Sequence, residues 1–255
     1  HTHSLTHTHT RTQHNTYNTH NTYNTHNTQH KTQNPHSASS YPSGWPNYKV
    51  CASYDREYWF RCPDTTFDAA TGVLQWHHAM PAGQSTIWFA YFAPYSYERH
   101  QDLIAKCAAS PFAQLRTLGT TLDGRDIDML VVGTGAKKFF ITARQHPGES
   151  MAEWCAEGFL ERLLSADDPM AKKLRAEATC FVTPNANPDG SVRGHLRTNA
   201  CGANLNREWA PTGDYMAPTL ERSPEVYHIM RVLDEQGCDG YMDIHGDEEI
   251  EVSET

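Results

Sequence analysis

Three short apolar runs constrain this chain most: "KKFFITAR" at 137–144, "ATCFVTPN" at 178–185 and "GYMDIHGD" at 240–247. Their apolar residues are near-continuous rather than alternating, the mark of strands covered on both faces of a sheet. The stretches between them read as helices. "SMAEWCAEGFLERLLS" sets Met151, Trp154, Cys155, Phe159, Leu160, Leu163 and Leu164 along one helical stripe, with Ser150 and Glu153 spaced as a capping box. "SPEVYHIMRVLDEQG" opens on Ser223-Pro224 and closes on Gly237. "YERHQDLIAKCAAS" reads as a helix ended by Pro111, and "LGTTLDGRDIDMLVVG" as two strands around an Asp123-Gly124 hairpin turn. The expected fold is α/β, a mostly parallel mixed sheet flanked by helices over 96–255.

Two other stretches precede it. Residues 41–95 hold short aromatic and β-branched runs split by Pro, Gly and Asp, which read as antiparallel strands of a partial β-sandwich. With no Lys/Arg stripe beside them, those aromatics suit a core better than a base-stacking surface. Residues 1–40 are a His/Thr/Asn tract nearly free of aliphatic side chains. Such a segment buries too little surface to offset its chain entropy, so disorder is expected there rather than a metal-binding tail.

Net charge and cysteines narrow the class. A formal charge of −9 speaks against nucleic acid or an anionic membrane as partner. No apolar run reaches the roughly 18 residues of a spanning helix. The seven cysteines are scattered without C-x-x-C spacing, which fits reduced thiols in a cytoplasmic protein better than a disulfide framework.

The strand ends carry the chemistry. His146 and Glu149 follow one apolar run across a Pro147-Gly148 kink, and His245 ends another run 99 residues later. Ligands of open parallel sheets collect outside the carboxyl ends of the strands. Two imidazoles and a carboxylate, with a fourth position left to water, make the donor set of a hydrolytic zinc site. The kink lets His146 and Glu149 converge, and Gly148 is expected to leave room for an ion. The H-x-x-E spacing is weak alone, since His245 and Glu248 repeat it. Between the two histidines, however, an NPDG turn follows a strand and leads into a loop bearing Arg193, Arg197 and Arg207. Arginines beside a water-activating metal can grip a carboxylate and stabilise a developing oxyanion.

In the order "YPSGWPNYKVCASYDREYWFR", "FAYFAPYSYERH", "HPGE", "NPDG", "GANLNREW" and "DIHGDE", the chain from Tyr41 onward resembles the zinc metallocarboxypeptidases, and within them the cytosolic carboxypeptidase branch. The resemblance implies one zinc ion per chain on His146, Glu149 and His245, the His₂Glu set of carboxypeptidase A. It implies that Asn206 and Arg207 hold the free C-terminal carboxylate of a peptide or protein substrate. Arg197 would polarise the scissile carbonyl, with Arg193 as the alternative. The characteristic substrates of the branch are C-terminal or branched glutamates, as on modified tubulin.

The resemblance also sets expectations of what is missing. The family draws its general-base glutamate from sequence well beyond the second zinc histidine, whereas this chain ends ten residues after His245. The first half of the N-terminal sandwich is expected to be replaced by the tract. The chain is thus expected to be truncated at both ends, with an incomplete sheet and no turnover of its own. The competing readings are an acyl hydrolase of the aspartoacylase or succinylglutamate desuccinylase type, and a non-catalytic zinc-binding scaffold or gene remnant.

Overall fold

The computed structural model describes residues 22–24, 27–32, 42–213 and 215–247. The chain divides into two compact units, one of residues 1–93 together with 247–255 and one spanning Pro94–Gly246.

The first unit is built from antiparallel strands. β1 (Thr22–Asn24) and β2 (Asn27–Thr32) lie within the tract expected to be disordered, and the rest of that expectation falls outside the described residues. β3 is Cys51–Ser53, β4 Phe60–Arg61, β5 Thr65–Asp68, β6 Val73–His78 and β7 Trp88–Ala90. One sheet runs β1-β2-β6-β5 and another β4-β3-β7. β2 departs from the expectation because it adds a ladder to β6, from Thr28 opposite His78 to Thr32 opposite Leu74. Main-chain pairing of that kind needs no aliphatic side chain of its own. Side chains from both sheets share a core around Trp45, Tyr48, Ala52, Leu74 and Trp76.

The second unit is the α/β layer structure. In order it comprises α1 (Tyr97–Ala108), β8 (Ala113–Thr120), β9 (Asp126–Val132), β10 (Lys137–Ala143), α2 (Ser150–Leu163), α3 (Pro169–Glu177), β11 (Ala178–Thr183), α4 (Pro188–Arg193), α5 (Pro224–Gln236) and β12 (Gly240–Ile244). The sheet order is β12-β10-β11-β9-β8. β10 is parallel to both β11 and β12, while β9 runs antiparallel to β11 and β8. Alternate strand residues serve opposite faces, as the pleat requires. Leu130, Val132, Ile141, Cys180 and Val182 pack with α1 and α2. Met129, Phe140 and Phe181 pack on the other face with Ile229 and Val232 of α5. Burial on both faces is why β10 and β11 read as continuous apolar runs; β12 departs from that expectation, because as the edge strand it leaves Tyr241 and Met242 exposed. All seven cysteines are free thiols. Among the described residues no helix is long and apolar enough to cross a membrane.

Candidate metal centre

The parallel register of β10 and β12 puts the key histidines side by side. Ala143 lies opposite Ile244, so both strands reach their carboxyl ends at one level. Beyond β10 the chain bends at Arg144, a non-glycine residue in the left-handed region with φ 57°. That conformation costs energy, and the bonds made by the buried Arg144 side chain offset it. Its guanidinium donates to the carbonyls of Pro147 and Tyr95 and, at 2.6 Å, to the Glu153 carboxylate. Glu153 is therefore not the capping partner expected from its spacing. The N-cap residue of α2, Glu149, makes no side-chain cap bond, and Glu153 is fully buried against Arg144, His100 and Asn185. Gly148 also differs from its expected role. A Cβ there would stand 2.6 Å from Leu196 Cδ1 and 2.9 Å from the Leu196 carbonyl oxygen, so the missing side chain admits the 194–197 loop rather than an ion. The Gly148 amide donates to that same carbonyl.

His146, Glu149 and His245 converge, with one donor atom from each lying within 4.8 Å of the others. His146 Nδ1 is 2.7 Å from Glu149 Oε1, and His245 Nδ1 is 2.9 Å from Glu149 Oε2. The Gly246 amide also donates to Glu149 Oε2. Burial alone would raise the Glu149 carboxyl, but the bonds from both histidines and Gly246 outweigh it and hold the group at about 2. Hydrogen bonds to Asp243 and then Glu149 push His245 up to about 9. The outer nitrogens are engaged elsewhere: His245 Nε2 meets Asp243 Oδ2 at 2.6 Å, and His146 Nε2 meets Asn204 Oδ1 at 3.0 Å. Oxygen acceptors on both Nε2 atoms would keep the ring protons there once an ion took the place of the Nδ1–H bonds to Glu149, leaving both Nδ1 lone pairs to face that ion. Two inward imidazole nitrogens and one ionised carboxylate are the donor chemistry that suits Zn²⁺.

Arg197 lies beside this cluster, with Nη1 3.4 Å from His146 Nδ1 and 4.0 Å from Glu149 Oε1. Arg193, the alternative, instead grips Asp123 and donates to the Ala200 carbonyl. Asn206 and Arg207 belong to a short 3-10 turn, Leu205–Arg207. Asn204 Oδ1 accepts from the Asn206 amide while contacting His146, which moors the turn to the cluster. The Arg207 guanidinium lies over the Tyr215 ring at 5.2 Å. Glu248, the acid of the second H-x-x-E, falls outside the described residues. Sequence spacing missed Asp243, Asn204 and Gln145. Asp243 carried a usable signal, since an acid two residues before a strand-end histidine shares its side of the strand.

Residues 101–252 match the zinc carboxypeptidase model, and the chain belongs to that family. Its narrower affinity is with the cytosolic branch, because residues 4–92 match the cytosolic carboxypeptidase N-terminal domain. That match begins inside the His/Thr/Asn tract. Cytosolic carboxypeptidase 2 of Xenopus tropicalis is 35% identical over 190 residues, covering 68% of this chain and 19% of that protein. An uncharacterized protein of Zymomonas mobilis is 50% identical over 214 residues, 84% of this chain and 53% of its own length. A metallo-carboxypeptidase of Pseudomonas aeruginosa, solved with (2-guanidinoethylmercapto)succinic acid, superposes with a TM-score of 0.78 at 40% identity, over 87% of this chain and 57% of that one. The chain thus spans about half the length of the bacterial relative.

Proposed function

We propose that this chain carries the metal centre and substrate grip of a zinc-dependent carboxypeptidase acting in the cytoplasm on the C-termini of peptides or proteins. The observation that supports it is the convergence of His146, Glu149 and His245 beside the Arg197 guanidinium. The two Nδ1 atoms and the Glu149 carboxylate would hold one zinc ion. Bound there, zinc supplies a Lewis acid for a carbonyl oxygen and a water acidified toward neutral pH. The chain's own side chains do the rest. Arg197 donates to the scissile carbonyl oxygen and to the oxyanion that develops from it. Arg207, with Asn206, receives the free terminal carboxylate in a planar two-pronged grip. An acidic last residue, glutamate first, is the proposed preference, extending to polyglutamylated tails. It rests on the likeness to cytosolic carboxypeptidases alone.

The acids bonded into the cluster are already committed: Glu149 to both imidazoles, Asp243 to His245, Gln145 and Thr142. The proton-accepting base of the reaction is therefore a group from outside this set. Where that base is lacking, turnover falls by about 10²–10⁴ while zinc binding persists.

Metal analysis tests the centre. The purified chain is expected to hold about one zinc, and His146→Ala close to none. Zinc content indifferent to that substitution would overturn the assignment. In protein that turns over, a peptide ending in free glutamate loses its last residue and the same peptide amidated does not. Arg197→Ala keeps its zinc yet slows that release by about 10²–10³.

A further inference from the structure

We propose that Gln145 is a positioning residue joining the metal ligand His245 to the loop that grips the substrate carboxylate. The inference rests on the reading of the site above and concerns a residue to which that reading gives no part.

Gln145 is 1% exposed, and both ends of its amide are used. Its Nε2 donates to Asp243 Oδ2 at 2.5 Å, and its Oε1 accepts from Trp209 Nε1 at 2.9 Å. A carboxylate can only accept and an indole N–H can only donate, so the amide has one satisfactory orientation. The oxygen that Gln145 grips is the one that meets His245 Nε2 at 2.6 Å. The other oxygen of Asp243 takes the Thr142 hydroxyl at 3.0 Å, and that hydroxyl pairs with Tyr241. Asp243 is thereby pinned on both oxygens, which fixes the direction in which it holds the His245 ring. The Gln145 main chain is pinned too, through its carbonyl and the Asn187 amide nitrogen. On the far side, Trp209 follows Arg207 by two residues and packs edge-on against Tyr241 at 5.7 Å. One amide thus connects the end of β12, the bend after β10 and the Asn206-Arg207 turn. The partners that orient a ligating histidine influence metal affinity nearly as much as the ligand does.

A double-substitution cycle tests this, with Zn²⁺ affinity read by competition against a chromophoric chelator and the visible spectrum of Co²⁺-loaded protein as a second readout. Gln145→Met keeps the volume and removes both hydrogen bonds. It is expected to weaken zinc binding about 10–100-fold and to shift the cobalt bands. Placed in an Asp243→Ala background, it is expected to add nothing, because its effect passes through Asp243. General destabilisation would instead weaken zinc by the same factor in both backgrounds and leave the cobalt bands of loaded protein where they were. Trp209→Phe probes the other arm: binding of a dipeptide with a free C-terminal carboxylate weakens several-fold, and that of its amide does not. Zinc affinity unmoved by Gln145→Met, losses that multiply across the cycle, or carboxylate binding untouched by Trp209→Phe each overturn the role of Gln145. If the unsubstituted chain binds no zinc, the reading of the site falls with it. If zinc binds and vanishes in His146→Ala while the cycle fails, only the Gln145 role is lost.

Discussion

His100 shows how much charge this fold buries behind its site. Its ring lies between Glu153 at 2.7 Å and Asp128 at 3.5 Å and is nearly inaccessible. Burial pulls its pKa down, but the bonds to the two carboxylates outweigh that and raise it to about 9. A histidine in the unfolded chain titrates near ~6.5. Below that pH both states are protonated and the stabilisation is complete. As pH rises from there through about 9, the folded state keeps a proton that the unfolded state has released, and the stabilisation is lost. The melting temperature is expected to fall across that window, and the slope to flatten in His100→Gln. An unchanged slope in the variant would assign the pH dependence to other groups. At this scale the sequence pointed to the proposed ligands but not to their supports. His146, Glu149 and His245 stand at strand ends where chemistry is anticipated, whereas Glu153 carried a spacing that fits a cap equally well. Its partners Arg144 and Asn185 lie 9 and 32 residues away, and only the tertiary fold brings them in.

Among elements, the long helices are legible because their burial is written as period, and the parallel strands because they are short apolar runs. α1, α2, α5 and the three parallel strands fall where the apolar runs placed them. α3 lies outside the expected helices, although Asp168 caps it through the Met170 and Ala171 amides and Pro169 stands in its first turn. Only Ala171 and Arg175 of that helix are buried, so it offers little stripe to detect. α4 was read as an NPDG turn, and at six residues it is scarcely longer than one. The connection between the β10 bend and the 194–197 loop depends on Gly148, which gives a sharp expectation. Gly148→Ala forces the Leu196 backbone away and costs about 1–3 kcal/mol in urea unfolding. Because Arg197 rides on that loop, peptide turnover should suffer more than zinc content. Equal losses of both would mean that the loop does not place Arg197.

For the molecule as a whole, the metal should act as a clasp on the second unit. β12 is held to the sheet by β10 alone in the observed strand order, and the proposed ion joins the ends of those two strands. A ligand present at a hundredfold excess over its dissociation constant, bound only by the folded state, adds about 2.7 kcal/mol. Zinc is therefore expected to raise the melting temperature and a chelator to lower it, and amide exchange at Gly240–Ile244 should slow on loading. Exchange there indifferent to zinc would argue against the ion bridging these strands.

The buried arginine at the bend carries a last consequence. Arg144 holds its left-handed turn through Tyr95, Pro147 and Glu153, none of which is a proposed ligand. The cradle thus owes its shape to ordinary protein bonds, so stripping and restoring the ion is a matter of exchange, not of refolding. A dialysed sample should regain its full complement on simple addition of the salt.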